Sequence, residues 1–371
     1  MPTILVSDAT GQLGVSSPFN LSYPGALALL AQATSPSPGS RYRPASHWAV
    51  AKYLTVCDPR RRKAFTVNPG IYDLDPHQKT VLSDDIGMAI ALGLIDQSHG
   101  IRGIADVYAL HSAGRLTLNT AGRHRKMPDF VLDLRIPIAG SHVVLLECKG
   151  STTRGHYASQ VASACNTQLA NVNAVRGINA NTIPKLGAAT ELVPGRRLTI
   201  YLDDPPEQFN ESLSEELQAN LLALEYSLFG DLRSANEVWK TYGLPTFTGA
   251  RGASSLPTSS STKIQDDAVS PLGRQGKFDI EPSGVFEAMS DNRLGYASTR
   301  IELKMSKAAK AARTNRQWAS ALQKRATMGA VKVAVPTLLD EQGGNERRIE
   351  EEAITSTAIA VRATTRVWYQ A

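Results

Sequence analysis

Residues 127–150 read MPDFVLDLRIPIAGSHVVLLECKG, and the rest of the chain is organised around them. Two short apolar runs, 130–136 and 143–148, flank PIAGS at 137–141, which reads as a turn. Val, Ile, Leu and Phe dominate both runs, so a β-hairpin is predicted. With the turn centred near Ala139, Asp129 falls opposite Lys149 and Val131 opposite Glu147. Side chains alternate between faces along a strand, so Asp129, Glu147 and Lys149 share one face. The other face carries Phe130, Leu132, Leu134 and Ile136 against Val144, Leu146 and Cys148, an unbroken apolar surface. Three charges therefore gather at one end of a hairpin whose opposite face is core.

Pro128 and Asp129 followed by Glu147-Cys148-Lys149 resemble the motif of the PD-(D/E)XK nuclease superfamily, the restriction-endonuclease-like fold. The resemblance implies an α/β fold with a mixed central sheet flanked by helices. It implies that Asp129 and Glu147 bind Mg²⁺, with Mn²⁺ as a substitute, while Lys149 orients or activates the attacking water and stabilises developing charge. It also implies a further acidic ligand from a helix before the core strands. Asp85 is assigned to that place, with Asp84 beside it. Gln160 and Gln168, on the helix expected after Gly150, are candidate accessory residues; the QxxxY form is absent, since neither is followed by Tyr four residues on. The physical chemistry agrees independently. Mg²⁺ takes hard oxygen ligands, typically one or two carboxylates plus waters and substrate phosphate.

An E-x-K triplet alone carries little weight, and a second one stands at Glu302-Leu303-Lys304, with Asp279 or Asp291 as a partner acid. That copy lacks a Pro-Asp at hairpin distance. The Pro-Asp, the β-rich flanks and Gly150 single out the first.

The chain of 371 residues suits two domains, with 42% hydrophobic and 20% charged residues, an ordinary globular composition. A net charge of +6 suits a polyanionic partner without proving one. Cys57, Cys148 and Cys165 form no pairing framework, and no segment approaches a membrane span or a signal peptide. A cytoplasmic protein with no membrane partner is expected.

Residues 1–76 read as a mostly helical and irregular region, with helices at 24–32 and 45–56. Its opening, 3–14, resembles a dinucleotide-binding turn, but Asp8 replaces the first glycine and Pro18 follows, so a loop or edge strand is expected. Residues 77–243 form the expected nuclease core: a helix at 78–96, strands at 104–110 and 115–119, the hairpin, a helix at 156–176, a strand at 197–202 and a helix at 211–229. Residues 244–275 read as a Ser/Thr/Pro/Gly-rich linker or long loop. Residues 276–371 form an α+β region with strands near 277–280, 299–305 and 331–336, a basic helix at 306–328, and a stretch at 346–366 that begins helical and turns β-like.

Arg123, Arg125 and Lys126 precede the Pro-Asp and are placed to hold phosphates at the rim of the site. The basic run at 60–63 and Lys307, Lys310 and Arg313 of the C-terminal helix are further candidates for phosphate contact. Trp318, within that helix, reads as packing or base stacking. The expectation is a metal-dependent DNA nuclease, by analogy of fold in restriction or phage defence, with a homodimer or a defence complex as possible assemblies. The alternative is a binding or scaffold protein that keeps the fold without the chemistry.

Overall fold

The computed structural model describes residues 3–8, 13–34, 52–53, 56–58, 64–119, 126–203, 214–229, 231–243, 277–280, 283–286, 295–327, 337–339, 346–354 and 360–369. At its centre β7 (Phe130–Ile138) and β8 (Ser141–Ser151) form the expected hairpin. Ala139 and Gly140 turn the chain with φ of 48° and 74°, positive values that match the twist of a two-residue hairpin turn.

The register differs from the expected one by two residues. Phe130 pairs with Leu146 and Val131 with Leu145, so Asp129 comes level with Glu147 instead of Lys149. The ladder is irregular between Asp133 and Ile138, where Pro137 lacks an N–H to donate. An even shift leaves every side chain on its expected face. Ile136, beside the irregularity, is 53% exposed, so the apolar face stops at Leu134 and resumes at Ile138.

The hairpin sits inside a mixed seven-stranded sheet of order β2-β1-β12-β11-β8-β7-β5. The other strands are β1 (Thr3–Asp8), β2 (Phe19–Asn20), β5 (Ile101–Asp106), β11 (Lys185–Glu191) and β12 (Thr199–Asp203), with a separate two-stranded pair β3 (Cys57–Asp58) and β4 (Thr66–Val67). β8 and β11 run parallel, as do β1 and β12; the remaining pairs are antiparallel. The sheet thus draws strands from both sides of residue 76.

Both faces of the hairpin are buried, which is why its strands read as nearly continuous apolar runs. Phe130, Leu132, Leu134, Val144, Leu146 and Cys148 join a core with α1 (Tyr23–Ala33) and α2 (Pro76–His99). Val131, Val143 and Leu145 face Leu169, Val172 and Val175 in a second cluster. All of α1 is buried. It is enclosed by α2, by α5 (Ser214–Leu228) and by two strands of the C-terminal sheet, so it needs no polar stripe.

Several local expectations are corrected. The strand expected at 104–110 ends at Asp106, whose Oδ1 accepts the Ala109 N–H and caps α3 (Val107–Ser112). A short β6 (Leu116–Leu118) follows and pairs with β9 (Val172–Val175), which itself pairs with β10 (Ile178–Asn179). The helix expected over 156–176 is α4 (Tyr157–Ser163) followed by a π turn and a 3₁₀ turn, ending at Asn171. Strand β11 was not expected. Its Gly187-Ala188-Ala189 centre carries little apolar bulk because the Cys165 sulfur would lie 2.7 Å from a Cβ at Gly187.

Beyond α5, α6 (Leu232–Thr241) precedes a C-terminal sheet of β13 (Lys277–Ile280), β14 (Ser283–Phe286), β15 (Gly295–Lys304), β16 (Thr337–Leu339), β17 (Glu346–Ile354) and β18 (Ala360–Tyr369). The beginning of 346–366 is therefore strand, paired along its length with β18. The single basic helix is two, α7 (Lys307–Asn315) and α8 (Trp318–Thr327), broken where Arg316 turns left-handed at φ 55°. The linker at 244–275, the strand at 331–336 and the basic run at 60–63 lie outside the described residues, as does most of the helix at 45–56. Among the described residues no helix is long and apolar enough to cross a membrane.

Candidate active site

Asp129 stands immediately before β7, and one of its carboxylate oxygens accepts the Cys148 N–H of β8 at 2.8 Å. That bond fixes it beside Glu147. Glu147 has no solvent exposure, and the Lys149 ammonium rests on its Oε1 while staying partly exposed. The three residues expected to share a face therefore do converge, two strands supplying three charges.

The helix α2 closes the site because it crosses β8 with almost no side chain between them. A Cβ at Gly150 would lie 1.7 Å from the Ser83 carbonyl oxygen, and one at Gly87 would lie 2.8 Å from that of Lys149. This backbone-on-backbone contact carries Asp84 into electrostatic range of Lys149 and Asp129. The neighbouring Asp85 accepts a hydrogen bond from the Tyr53 hydroxyl. Of the adjacent pair, Asp84 is thus the one coupled to the charge cluster. Asp106 also acts on Asp129 from the end of β5.

Burial dominates the electrostatics. It pushes Asp129 up to about 6, against the Cys148 N–H and the Lys149 charge, which lower it. Glu147 is pushed up to about 8, first by burial and then by the neighbouring Asp129; Lys149 and the Gln168 amide pull the other way. Asp84 is raised by partial desolvation, and Lys149 again opposes the rise. Two carboxylates crowded in a low-dielectric corner cannot both ionise cheaply without more positive charge.

That shortage bears on whether the site suits a divalent cation. Asp129, Glu147 and Asp84 offer three formal negative charges against the single ammonium of Lys149, all through hard oxygens. Mg²⁺ and Mn²⁺ suit such a donor set. No group of three His, Cys, Asp or Glu side chains among the described residues is gathered tightly enough to hold a metal alone. A Mg²⁺ that keeps its waters and uses two carboxylates does not need one.

The remaining candidates fall into distinct places. The Gln168 side chain donates to the Met127 carbonyl at 3.1 Å and that of Gln160 to the Gly150 carbonyl at 3.3 Å. Each amide thus ties down one of the two backbone segments that present the acids. Asn171, not anticipated from the sequence, adds a 2.7 Å bond to the Lys126 carbonyl. No local signal marked it, since it sits where a longer helix was expected. Lys126 is exposed beside the Pro-Asp, while Arg123 and Arg125 lie outside the described residues.

In the C-terminal helices, Lys310 is exposed and Arg313 lies 3.6 Å from Asp231. Arg316 pairs with Glu237 at 3.3 Å. Lys307 begins α7, its side chain outside the described set. Trp318 is buried with its ring edge-on to Tyr226, so it packs. In the second E-x-K copy, Asp279 pairs with Glu302 across β13 and β15, and Asp291 lies outside the described residues. Comparison with protein-family models, with curated proteins and with solved structures finds no match to this chain.

Proposed function

We propose that this chain is a metal-dependent nuclease that hydrolyses DNA phosphodiester bonds on a restriction-endonuclease-like core. The observation that carries the reading is the convergence of Asp129 and Glu147, with Lys149 on the Glu147 carboxylate, at one end of a hairpin packed on both faces. With the short α3, β6, β9 and β10 interposed, the succession of α2, β5, β7, β8, α4, β11, β12 and α5 also parallels the helix, strands, helix, strand, helix order of the resembled core.

Asp129 and Glu147 would hold the Mg²⁺ or Mn²⁺ in this reading, with Asp84 adding negative charge nearby. When bound there, such an ion would supply an acidified water and charge screening for an in-line displacement at phosphorus. Lys149, one two-residue strand repeat beyond Glu147 and on the same face, orients the attacking water and stabilises the negative charge that grows on the phosphate oxygens. Its contact with Glu147 holds the ammonium in place before substrate arrives. Gln160 and Gln168 keep the two carboxylate-bearing segments from shifting, which matters because small misplacements of reacting groups cost rate steeply. The exposed Lys126 lies at the rim, where a phosphate of the bound strand passes.

A second reading rests on one specific observation. Glu147 has no solvent exposure, and burial and the neighbouring Asp129 push its carboxyl up, towards the neutral form that does not ligate a metal. A catalytically silent DNA-binding or scaffold protein on the same fold would keep that state. Incubating the purified chain with plasmid and linear DNA, with Mg²⁺, with Mn²⁺ and with EDTA, separates the two. Metal-dependent cleavage lost in EDTA is expected; DNA binding with no cleavage under any metal would select the second reading.

A further inference from the structure

Strand β8 leaves the site through the turn 151–155, and that turn is pinned although most of it is exposed. The Ser151 hydroxyl accepts the Thr153 N–H at 3.0 Å, and the Ser151 carbonyl accepts the Leu192 N–H at 2.8 Å. Gly155, at φ 79°, takes a left-handed conformation that favours glycine, and its N–H donates to Glu191 Oε1 at 2.5 Å. From α4, the Gln160 amide holds the Gly150 carbonyl at the root of the turn. Glu191 itself is buried, 8% exposed. Burying a carboxylate costs stability unless its charge is engaged, and here it is engaged on the backbone of a surface turn.

The turn stands beside the site, at the same end of the sheet. Lys149 is level with Ala189, and Glu191 follows two residues along β11, so the Cα atoms of Lys149 and Glu191 lie roughly 8 Å apart. Arg154, the residue before Gly155, is at most about 18 Å from Lys149 along the chain, and the Glu191 bond folds the turn shorter. The route between them follows the strand end. It does not cross the face of β11, where Ala189 is buried and Val161 and Cys165 pack over Gly187. Arg154 is exposed, and no acid among the described residues forms an ion pair with it. Glu191 and, less strongly, Arg154 act on the Tyr201 phenol, yet the two are not joined to each other. The guanidinium therefore keeps its donors free.

We propose that the turn 151–155 is a phosphate clamp, in which Arg154 binds the DNA backbone at a phosphate flanking the scissile one and Glu191 is the positioning residue that holds the turn to β11. The inference rests on the nuclease reading of the Lys149 site. A guanidinium presents a planar fork of donors matched to two phosphate oxygens. Such a contact fixes the register of the strand without reading its sequence. An arginine on a loose turn must be ordered when DNA binds; the Glu191 bond has ordered the turn beforehand. Lys149 on the strand and Arg154 on the turn that continues it then act on neighbouring phosphates of one backbone.

The test uses the full chain and duplex DNA, titrated in EDTA over a range of salt concentrations. Arg154→Gln, a change at an exposed position, is expected to flatten the slope of log affinity against log salt by about 1 unit, on unrelated sequences alike. Glu191→Ala and Glu191→Gln both remove the charge, but only Gln keeps an oxygen that accepts the Gly155 N–H. The Ala variant is therefore expected to bind about two- to tenfold more weakly than the Gln variant, the range for ordering a loose turn on binding. That difference is expected to vanish when Arg154→Gln is added to both. An Arg154→Gln slope equal to the parent's overturns the clamp, and equal binding by folded Ala and Gln variants overturns the role of Glu191. Where Glu191→Ala does not fold, the Arg154→Gln slope decides. Cleavage with Mg²⁺ is measured on the same preparations. A flattened slope with no cleavage by the parent supports the clamp and strikes the nuclease reading, whereas cleavage by the parent with an unflattened slope does the reverse.

Discussion

Glu147 and Lys149 are two residues apart on β8, on one face of the sheet, with the ammonium seated on a carboxylate that has no solvent exposure. The contact is lopsided: Lys149 reaches solvent and Glu147 does not. Lys149 can therefore meet a substrate from outside while remaining the charge that makes Glu147 tolerable within.

Lys149→Ala is expected to slow cleavage by about a hundred- to a thousandfold, the usual effect of removing one group that stabilises transition-state charge. DNA affinity changes little, because one charge beside the metal matters more to the transition state than to binding. Gel-based single-turnover rates and mobility shifts on the same preparations check both halves. Unchanged turnover would move the chemistry elsewhere, with Glu302 and Lys304 next in line.

The raised carboxyls set a pH dependence whose sign can be worked out. Glu147 at about 8 in the folded chain, against its ordinary 4.5, means that the folded state holds a proton the unfolded state has released. Stability without metal should therefore fall as pH rises from about 4.5 towards 8 and level off above. Asp129, at about 6, adds to the fall over the lower part of that window. Glu147→Gln should melt a few degrees above the parent at pH 8 and with it at pH 4.5, by calorimetry in EDTA. Mg²⁺ acts in the opposite direction, since it needs ionised ligands, and should raise the parent's melting temperature more at pH 8 than at pH 6.

Asp84 and Asp85 are adjacent on α2 but differently engaged, one in the charge cluster and one on Tyr53. Asp84→Asn should weaken Mg²⁺ binding, read by isothermal titration. Asp85→Ala, which removes the acceptor of the Tyr53 hydroxyl, should leave that titration alone and cost about 1 kcal/mol of stability, the worth of a hydrogen bond. The reverse pattern would place Asp85 in the metal site.

Gly150→Ala should be among the most damaging single substitutions in the sheet. Its Cβ would overlap the Ser83 backbone, which cannot rotate away as a side chain would. A loss of about 3 kcal/mol is expected from denaturant unfolding, with α2 pushed off β8 and Asp84 withdrawn. A variant with the parent's midpoint would mean that α2 is not seated as described.

The basic C-terminal helices should contribute fewer phosphate contacts than their composition suggests. Changing Lys307 and Lys310 to Gln should flatten the salt dependence of DNA affinity by about 2 units, one for each neutralised phosphate. Adding Arg313→Gln should change the slope little, since that guanidinium is engaged with Asp231. A slope identical to the parent's after the double change would assign these charges to solvation alone.

The hairpin and its grouped charges were legible in the sequence for a reason that survives error. Side-chain direction in a strand has period two, so the two-residue difference in register moved Asp129 from Lys149 to Glu147 without changing any face. The helices at 23–33 and 76–99 were likewise visible, because their apolar spacing is a property of the segment itself. What only the tertiary structure decided depends on pieces far apart in the chain. Strand β11 is central yet carries Gly187 and Ala189 where a strand usually shows bulk, since Cys165 occupies the space above Gly187. The choice of Asp84 over Asp85 follows from how α2 lies across Gly150, and the state of Arg313 from the position of Asp231. Local periodicity is written into the backbone of each segment, whereas close approach and pairing between segments are settled by which surfaces can be buried together.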